Sequence, residues 1–529
     1  SDGLKNGSET DVDCGSACGT LCGAGKACLS AADCASPLLC QAGVCVAPSC
    51  MDQIKNQDET DVDCGGATCA KCGVGGSCSV NTDCASGACD GGKCVPLPTL
   101  VSIAPACGSL AGGLSVTLQG TNFVNKAGIG VRFGQTQATA PMVPSATTIT
   151  AITPMVTMPG LVDVSIDGQP GGTLMLPMSF SFVADSNPAA LTWGVEQSTG
   201  YTPSNALALG DYNGDKLVDF VQDHSATHLD MGLGGAGGTL GSGATSISTV
   251  NGGLARRMVS ADLNGDGKSD LIASEGTNNI SVYLGAAVSP YFGTRVDYVV
   301  NTTPEGLVAG DLNGDGKVDI ATIHSGADFI SVLLGYGDGT LKAKVDYAAP
   351  RGTRIAAGDL DGDGKLDLVA TSALTKEVSV LLGVGDGTFK PKVGYPTSPV
   401  TTGLVLGAFD GNGKLDVVAG SGANLALLPN KGDGTLLAAI ETPVTAASTL
   451  PVLLAADFDG NGTQDVLLLN PMSARAEFWL NPCNGRFVDA KKPIAIPGPM
   501  DIAMADLNGD KKLDLVYTGT NQVRYVLRQ

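Results

Sequence analysis

From about residue 185 to the end of the chain, apolar residues come in short runs. Nowhere do they take the i, i+3, i+4, i+7 spacing of an amphipathic helix. The pattern is clearest at 355–395, where IAAGDL, LDLVATS, EVSVLLG and FKPKVGY alternate or are wholly apolar, with Gly- and Asp-rich turns between. Such runs predict β-strands, the wholly apolar ones enclosed on both faces. The four-strand unit recurs seven times with a period of about 49 residues. Four strands in 40–50 residues is the period of a propeller blade, so residues 185–529 predict a seven-bladed β-propeller. The last copy stops after DLVYTGTNQVRYVLRQ, with three strands. LTWGVEQSTGY (191–201) has the phase of the missing outer strand and predicts closure of the ring by pairing with Gln522–Leu527.

Pro96 and Pro98 mark a boundary ahead of a different pattern. Residues 98–184 carry LVSIAP, LSVTLQG, VRFG, TTITAITP, VDVSIDG and FSFV between Gly and Pro turns, which predicts an immunoglobulin-like β-sandwich. The stretch SIAPACGSLAGGLSVTLQGTNF, followed by VRFG, TTITAITP and SFSFV, resembles the IPT/TIG family. Cys107 departs from that family's entry turn. The fold class expected is therefore all-β: a propeller, a sandwich, and whatever the first 97 residues form.

Those residues have almost no apolar pattern, but they repeat. Cys14, Cys22, Cys28 and Cys34 recur fifty positions later as Cys64, Cys72, Cys78 and Cys84, and Cys40 and Cys45 recur as Cys89 and Cys94. Cys18, Cys50 and Cys69 complete fifteen cysteines in this part of the chain. Modules this small, 1–47 and 48–97, bury too little to fold on apolar burial alone, so disulfides must staple them. The connectivity stays open, since eight cysteines allow 105 pairings, and an all-cysteine zinc site is the rival reading. Such density fits an oxidising, extracellular setting. The counterpart of Cys50 would fall one residue before Ser1, so the chain is expected to start in mid-repeat. Cys107 and Cys483 stand apart; they predict either a bridge to each other, or a bond from Cys107 to the cysteine left over in the first module.

Between the first two strands of every blade lies an acidic nonapeptide, starting at residues 211, 262, 311, 359, 408, 457 and 506. Oxygen-bearing side chains fall at positions 1, 3, 5 and 9, and position 7 can add a backbone carbonyl. The first four loops give Asp211, Asn213, Asp215, Leu217 and Asp219; Asp262, Asn264, Asp266, Lys268 and Asp270; Asp311, Asn313, Asp315, Lys317 and Asp319; and Asp359, Asp361, Asp363, Lys365 and Asp367. The others give Asp410, Asn412, Lys414 and Asp416; Asp457, Asp459, Asn461, Thr463 and Asp465; and Asp506, Asn508, Asp510, Lys512 and Asp514. Calcium takes six to eight hard oxygen ligands in a flexible cage, which this spacing can supply. Magnesium is second choice. Seven such ions would bring the net charge from −21 to −7. Ala408 replaces the first Asp of the fifth loop, so that site is expected to be weak or empty. Glu9, Asp11, Asp13, Glu59, Asp61 and Asp63 form two further acidic turns, readable either as weak metal sites or as plain turns ahead of a disulfide.

The seven loops, in phase, resemble the FG-GAP/VCBS repeats of integrin α-subunit heads and bacterial surface proteins, which implies calcium in loops on one propeller face. The KNG(x)ETDVDCGG pattern resembles cysteine-rich repeats of bacterial surface proteins. Few other functions remain open. A strongly acidic chain has no basic nucleic-acid footprint, and no run of about 18 apolar residues could span a membrane. No catalytic motif sits in a supporting context. His224 and His228 flank a strand, and His324 reads as blade packing. Tyr298, Tyr347 and Tyr395 recur in phase and read as architecture. The expectation is a non-enzymatic, calcium-binding adhesion or recognition protein, secreted or at the cell surface, whose partner is a cell-surface or matrix protein or a glycan. The alternatives are a self-associating subunit of an extracellular filament, or an accessory module of a polysaccharide- or lipid-processing enzyme.

Overall fold

The computed structural model describes every residue except 1–3, 6–8, 16–18, 52, 54, 56–58, 200–205, 226–227, 242–244, 249–254, 276–277, 301, 373, 398–400, 422, 445–451, 484–485 and 520–521. Contacts divide the chain into two units. One comprises Ser1–Ala104, Ser115–Pro154 and Val162–Ser179; the other comprises Pro105–Leu114, Met155–Leu161 and Phe180–Gln529.

In the first unit the two cysteine modules share one pairing. Cys14–Cys22, Cys28–Cys40 and Cys34–Cys45 are repeated as Cys64–Cys72, Cys78–Cys89 and Cys84–Cys94, and Cys50 bonds Cys69. Cys18 lies outside the described residues. Each module has one two-stranded hairpin, and its core is sulfur: Cys22, Cys45, Cys72 and Cys84 are buried. These sulfurs are spent on disulfides, which removes the zinc reading.

The sandwich has a four-stranded sheet in the order Thr139–Ser145, Thr148–Ile152, Ser115–Thr121, Thr99–Ala104. A second sheet runs Cys107–Ser109, Leu174–Val183, Gly160–Asp167, Gly130–Phe133, Thr136–Gln137. Alternation delivers Val116, Leu118, Ile149, Val131, Phe133, Val164 and Ile166 to the interior. Three strands were not foreseen: Cys107–Ser109, Thr136–Gln137 and Thr139–Ser145. The last carries Pro141 and Pro144, and the sheet tolerates them because this strand lies at an edge and slips register twice.

In the second unit, seven antiparallel sheets follow one another among the described residues, six of four strands and the sixth in order of five. Their inner strands are Leu207–Gly210, Ala255–Ala261, Pro304–Gly310, Arg354–Gly358, Thr401–Gly407, Val452–Ala456 and Ile502–Ala505, taken here as blades one to seven. Each inner strand neighbours the next, and the seventh neighbours the first. Seven apolar clusters fill the seams, each straddling two consecutive blades, including one between blades seven and one. The second strands, such as Asp319–His324 and Asp367–Ser372, are buried along their whole length, which is why they read as unbroken apolar runs.

Blade seven is completed from upstream. Gln197 and Ser198 pair with Tyr525 and Arg524, Trp193 bridges Arg528, and the Gly194 amide donates to the Leu527 carbonyl at 2.8 Å. The predicted closure is therefore present, although Gly200 and Tyr201 lie outside the described residues. Outer strands are shorter than expected. In blade four the strand is Val393–Pro396, because Phe389 turns inward against Tyr347 and is buried. Tyr347 and Tyr395 each donate a hydroxyl hydrogen bond to the turn of the next blade, at the Gly387 and Gly434 carbonyls, and the Leu341 amide donates to Tyr298. The in-phase tyrosines are pegs between blades.

Candidate metal centres

Each inner strand runs into an acidic loop, and the next strand starts on the loop's ninth residue. That residue, Asp219, Asp270, Asp319, Asp367, Asp416, Asp465 or Asp514, is wholly buried. Its Oδ2 accepts the amide of the loop's second residue at 2.8–3.0 Å. Its Oδ1 accepts an amide just past the third strand at 2.7–2.8 Å, from Gly234, Gly285, Gly335, Gly383, Asn430, Asn481 or Arg528. One carboxylate thus staples loop and strand. The second residue, Tyr212, Leu263, Leu312, Leu360, Phe409, Phe458 or Leu507, is buried in a seam cluster.

The first Asp wraps the turn. In six loops its Oδ1 accepts the fourth residue's amide at 2.7 Å and its Oδ2 the sixth's at 2.8–2.9 Å. Both donor residues need positive φ. Gly supplies it at position 4, while Lys216 and Lys511 adopt φ of +68° at position 6. Position 3 accepts the amide of position 5 in every loop, at 2.8–3.2 Å.

These wraps bring positions 1, 3 and 9 together. Oxygens of Asp359, Asp361 and Asp367 lie within 4.8 Å of one another, as do those of Asp457, Asp459 and Asp465. In loop four position 5, Asp363, stands outside the group. The oxygen of position 5 takes the amide of position 7, and in the second and fourth loops the lysine of position 7 also reaches it, Lys268 to Asp266 at 2.6 Å and Lys365 to Asp363 at 2.8 Å. A carboxylate oxygen has a second lone pair, so an amide bond leaves room for a cation. The donor set is all oxygen, which fits calcium. Burial, then neighbouring carboxylates, pushes the ninth Asp upward: Asp219 to about 6, Asp465 to about 8, and Asp270, Asp319, Asp367 and Asp514 in the same direction. A divalent cation at positions 1, 3 and 9 would offset that crowding.

Loops five and six differ from the rest. At loop five the Ala408 amide donates to Gln464 Oε1 of loop six, with no first carboxylate to wrap the turn. Cys107 is bonded to Cys483, and its sulfur lies 3.1 Å from the Asp410 carbonyl oxygen. A Cβ at Gly411 would overlap Cys107. The disulfide therefore sits on the one loop that lacks its first Asp. At loop six, Asp459 Oδ2 accepts the Asn187 amide at 2.8 Å, and Asn461 Nδ2 donates to Ser186 Oγ at 3.2 Å. Asp459, Asn461 and Thr463 are buried, whereas positions 4 to 6 of loops seven, one, two, three and four are exposed.

The acidic turns of the cysteine modules are braces. Asp11 accepts the Val12 and Ala27 amides at 2.6 Å, and these bonds hold it below the usual carboxylate range. Asp61 does the same for Val62 and Ser77. Asp63 accepts the Gln53 amide, and Glu59 is buried beside Cys69. Among the described residues, neither Glu9, Asp11 and Asp13 nor Glu59, Asp61 and Asp63 converge as the loop aspartates do. His324 is enclosed between the Thr302 carbonyl and Ser331 Oγ, and burial lowers its pKa. It packs the blade.

Fold and loops define a β-propeller of acidic-loop repeats joined to an immunoglobulin-like sandwich. The family model described as FG-GAP-like repeat matches at 262–322, 311–370, 359–419, 408–468 and 457–517, and the IPT/TIG domain model matches at 98–182. The chain carries five FG-GAP-like repeats, an IPT/TIG domain and two disulfide-rich modules. No curated protein matches it. Similar solved structures include an Agrocybe aegerita lectin that recognises non-reducing terminal N-acetylglucosamine, with 16% identity over 64% of this chain and 90% of that one and a TM-score of 0.40. An auxiliary nutrient binding protein from Bacteroides ovatus has 12% identity over 82% and 98%, with a TM-score of 0.35. A streptogramin B lyase has 14% identity over 64% and 99%, with a TM-score of 0.44. The repeats, the TIG domain and the disulfides mark a recognition-type protein of an extracellular kind. No helix is long and apolar enough to cross a membrane.

Proposed function

We propose that this chain is a calcium-stabilised recognition protein acting outside the cell, which binds a surface or matrix protein or a glycan and carries out no catalysis. The observation that carries the metal reading is the convergence of Asp359, Asp361 and Asp367, each tied to backbone amides that would hold it ready for a cation. Calcium would be held by side chains at positions 1, 3 and 9, and its charge would relieve the carboxylate crowding there. Its role is to stiffen the blade joints.

The recognition surface follows from the asymmetry of the loops. Loops seven, one, two, three and four form one exposed arc free of the contacts that Cys107 makes at loop five and Ser186 and Asn187 make at loop six. A cleft of about 540 Å³ opens beside loop seven at the seam of the ring, lined by Gly237, Gly238, Asn508, Asp510, Tyr525 and Arg528. Its mix of amide, carboxylate, guanidinium and aromatic groups suits hydroxyl-rich or polar peptide ligands. The full chain, tested on a glycan array and a panel of extracellular proteins, with calcium and with EDTA, is expected to bind in calcium and to lose binding in EDTA. Absence of binding in both conditions, with hydrolysis of a polysaccharide or lipid ester instead, refutes the reading.

A further inference from the structure

The inner strands also meet at the end away from the acidic loops. Counting back four residues from the partner of each ninth Asp gives equivalent positions around the ring: Ala206, Arg257, Gly306, Arg354, Gly403, Val452 and Asp501. At about 3.3 Å per residue they lie roughly 13 Å along the strands from the loops. In a chain of net charge −21, this ring holds two arginines, separated by a glycine.

The arginines are not equivalent. Arg257 donates to Asp501 Oδ1 at 3.1 Å, and Asp501 is further fixed by the Leu207 and Ile502 amides. Arg256 pairs with Glu305 at 3.3 Å, and Glu305 also accepts from Ser325. Arg354 has no hydrogen-bond partner among the described residues, and its Nη2 is shielded from solvent. The charged groups acting on it are Arg257, Asp501 and Glu305. Both acids are already engaged by other arginines, so one positive charge stays uncompensated. Burial, with Arg257 beside it, pushes Arg354 down to about 9. A guanidinium keeps its proton at neutral pH, so one that is partly buried and has no acid of its own is costly and calls for an anion.

We infer that this mouth of the ring binds a singly charged carboxylate, gripped by Arg354 with Arg257 beside it. The planar fork of Arg354 offers paired N–H donors, which match the two oxygens of a carboxylate. The single uncompensated charge favours a monoanion over a dianion such as phosphate. The site is independent of the acidic loops and stands whether or not they hold calcium.

Calorimetric titration of the full chain at constant ionic strength, with acetate, D-glucuronate, D-glucose and inorganic phosphate, tests this. Both carboxylates are expected to bind and D-glucose is not, with phosphate at least tenfold weaker than D-glucuronate. D-Glucuronate tighter than acetate identifies a sugar acid as the source, whereas equal affinities identify the carboxylate alone. Arg354→Met should weaken both carboxylates at least tenfold. It should fold at least as well as the parent, since it removes a partly buried charge that has no acid of its own, and a thermal melt without ligand verifies that. No carboxylate binding, undiminished binding by Arg354→Met, or phosphate the tighter ligand overturns the inference.

Discussion

Removing calcium should make the propeller sensitive to alkali. Asp219 and Asp465 are wholly buried, and burial beside other carboxylates raises them to about 6 and about 8. In the unfolded chain each has its ordinary value of 3.8. The folded protein therefore holds these protons more tightly than the unfolded one. The stability they confer is full below pH 3.8 and is lost as pH rises, through about 6 for Asp219 and about 8 for Asp465. At roughly 1.4 kcal/mol per pH unit, Asp219 costs roughly 3 kcal/mol and Asp465 roughly 6 once both are ionised. Together these rival the roughly 5–15 kcal/mol that holds a domain folded. With calcium the sign reverses, because the ion needs the ionised ligands and its binding strengthens as they lose protons. Thermal melts from pH 4.5 to 8.5, in EDTA and in millimolar calcium, measure both slopes. Salt near 0.15 M screens the repulsion among surface carboxylates, leaving the buried ones. Stability in EDTA that is level or rises across this range would show that these carboxylates are not strained, and the metal argument would fall with them.

Other perturbations probe the joints of the ring. Asp367→Ala leaves the buried Leu360 and Gly383 amides without acceptors and should cost roughly 2–5 kcal/mol in urea unfolding, with one calcium fewer by elemental analysis. Gly411→Ala places a methyl group on Cys107 and fixes a side chain at φ +79°, so alkylation and mass spectrometry should find Cys107 and Cys483 as free thiols, with a loss of about 2–4 kcal/mol. Deleting residues 192–199 strips the strand that covers Gln522–Val526, and light scattering should show self-association through the bared edge.

Most of the fold was legible because blades repeat. A period near 49 residues placed the inner, second and third strands of each blade. The same phase exposed both the missing outer strand of blade seven and its substitute upstream. What broke period was hidden. Thr139–Ser145 was masked by two prolines that only an edge strand tolerates, and the outer strand of blade six is split into Val488–Asp489 and Ile494–Ala495, where Cys483 replaces the usual Gly-rich turn.

The acidic loops were readable as a repeated motif, but not the division of labour within them. Spacing alone ranks positions 1, 3, 5 and 9 alike. The structure separates a structural ninth Asp, tied to two amides, from a fifth residue that answers to its own backbone and, in two loops, to a lysine. Nor could spacing show why loop five dispenses with its first Asp. Its neighbour Gly411 packs against the Cys107–Cys483 disulfide, and the Ala408 amide turns to Gln464 instead. Ala408 and the cysteines at 107 and 483, distant in the chain, thus meet at one loop of the fold. A single sequence shows each as an isolated irregularity, and only the folded ring brings them together. At loop six the Asn187 amide donates to Asp459 Oδ2 and Asn461 Nδ2 donates to Ser186 Oγ. Loop six is thus the most enclosed of the seven, with Asp459, Asn461 and Thr463 buried, because the chain has engaged it with its own residues 186 and 187.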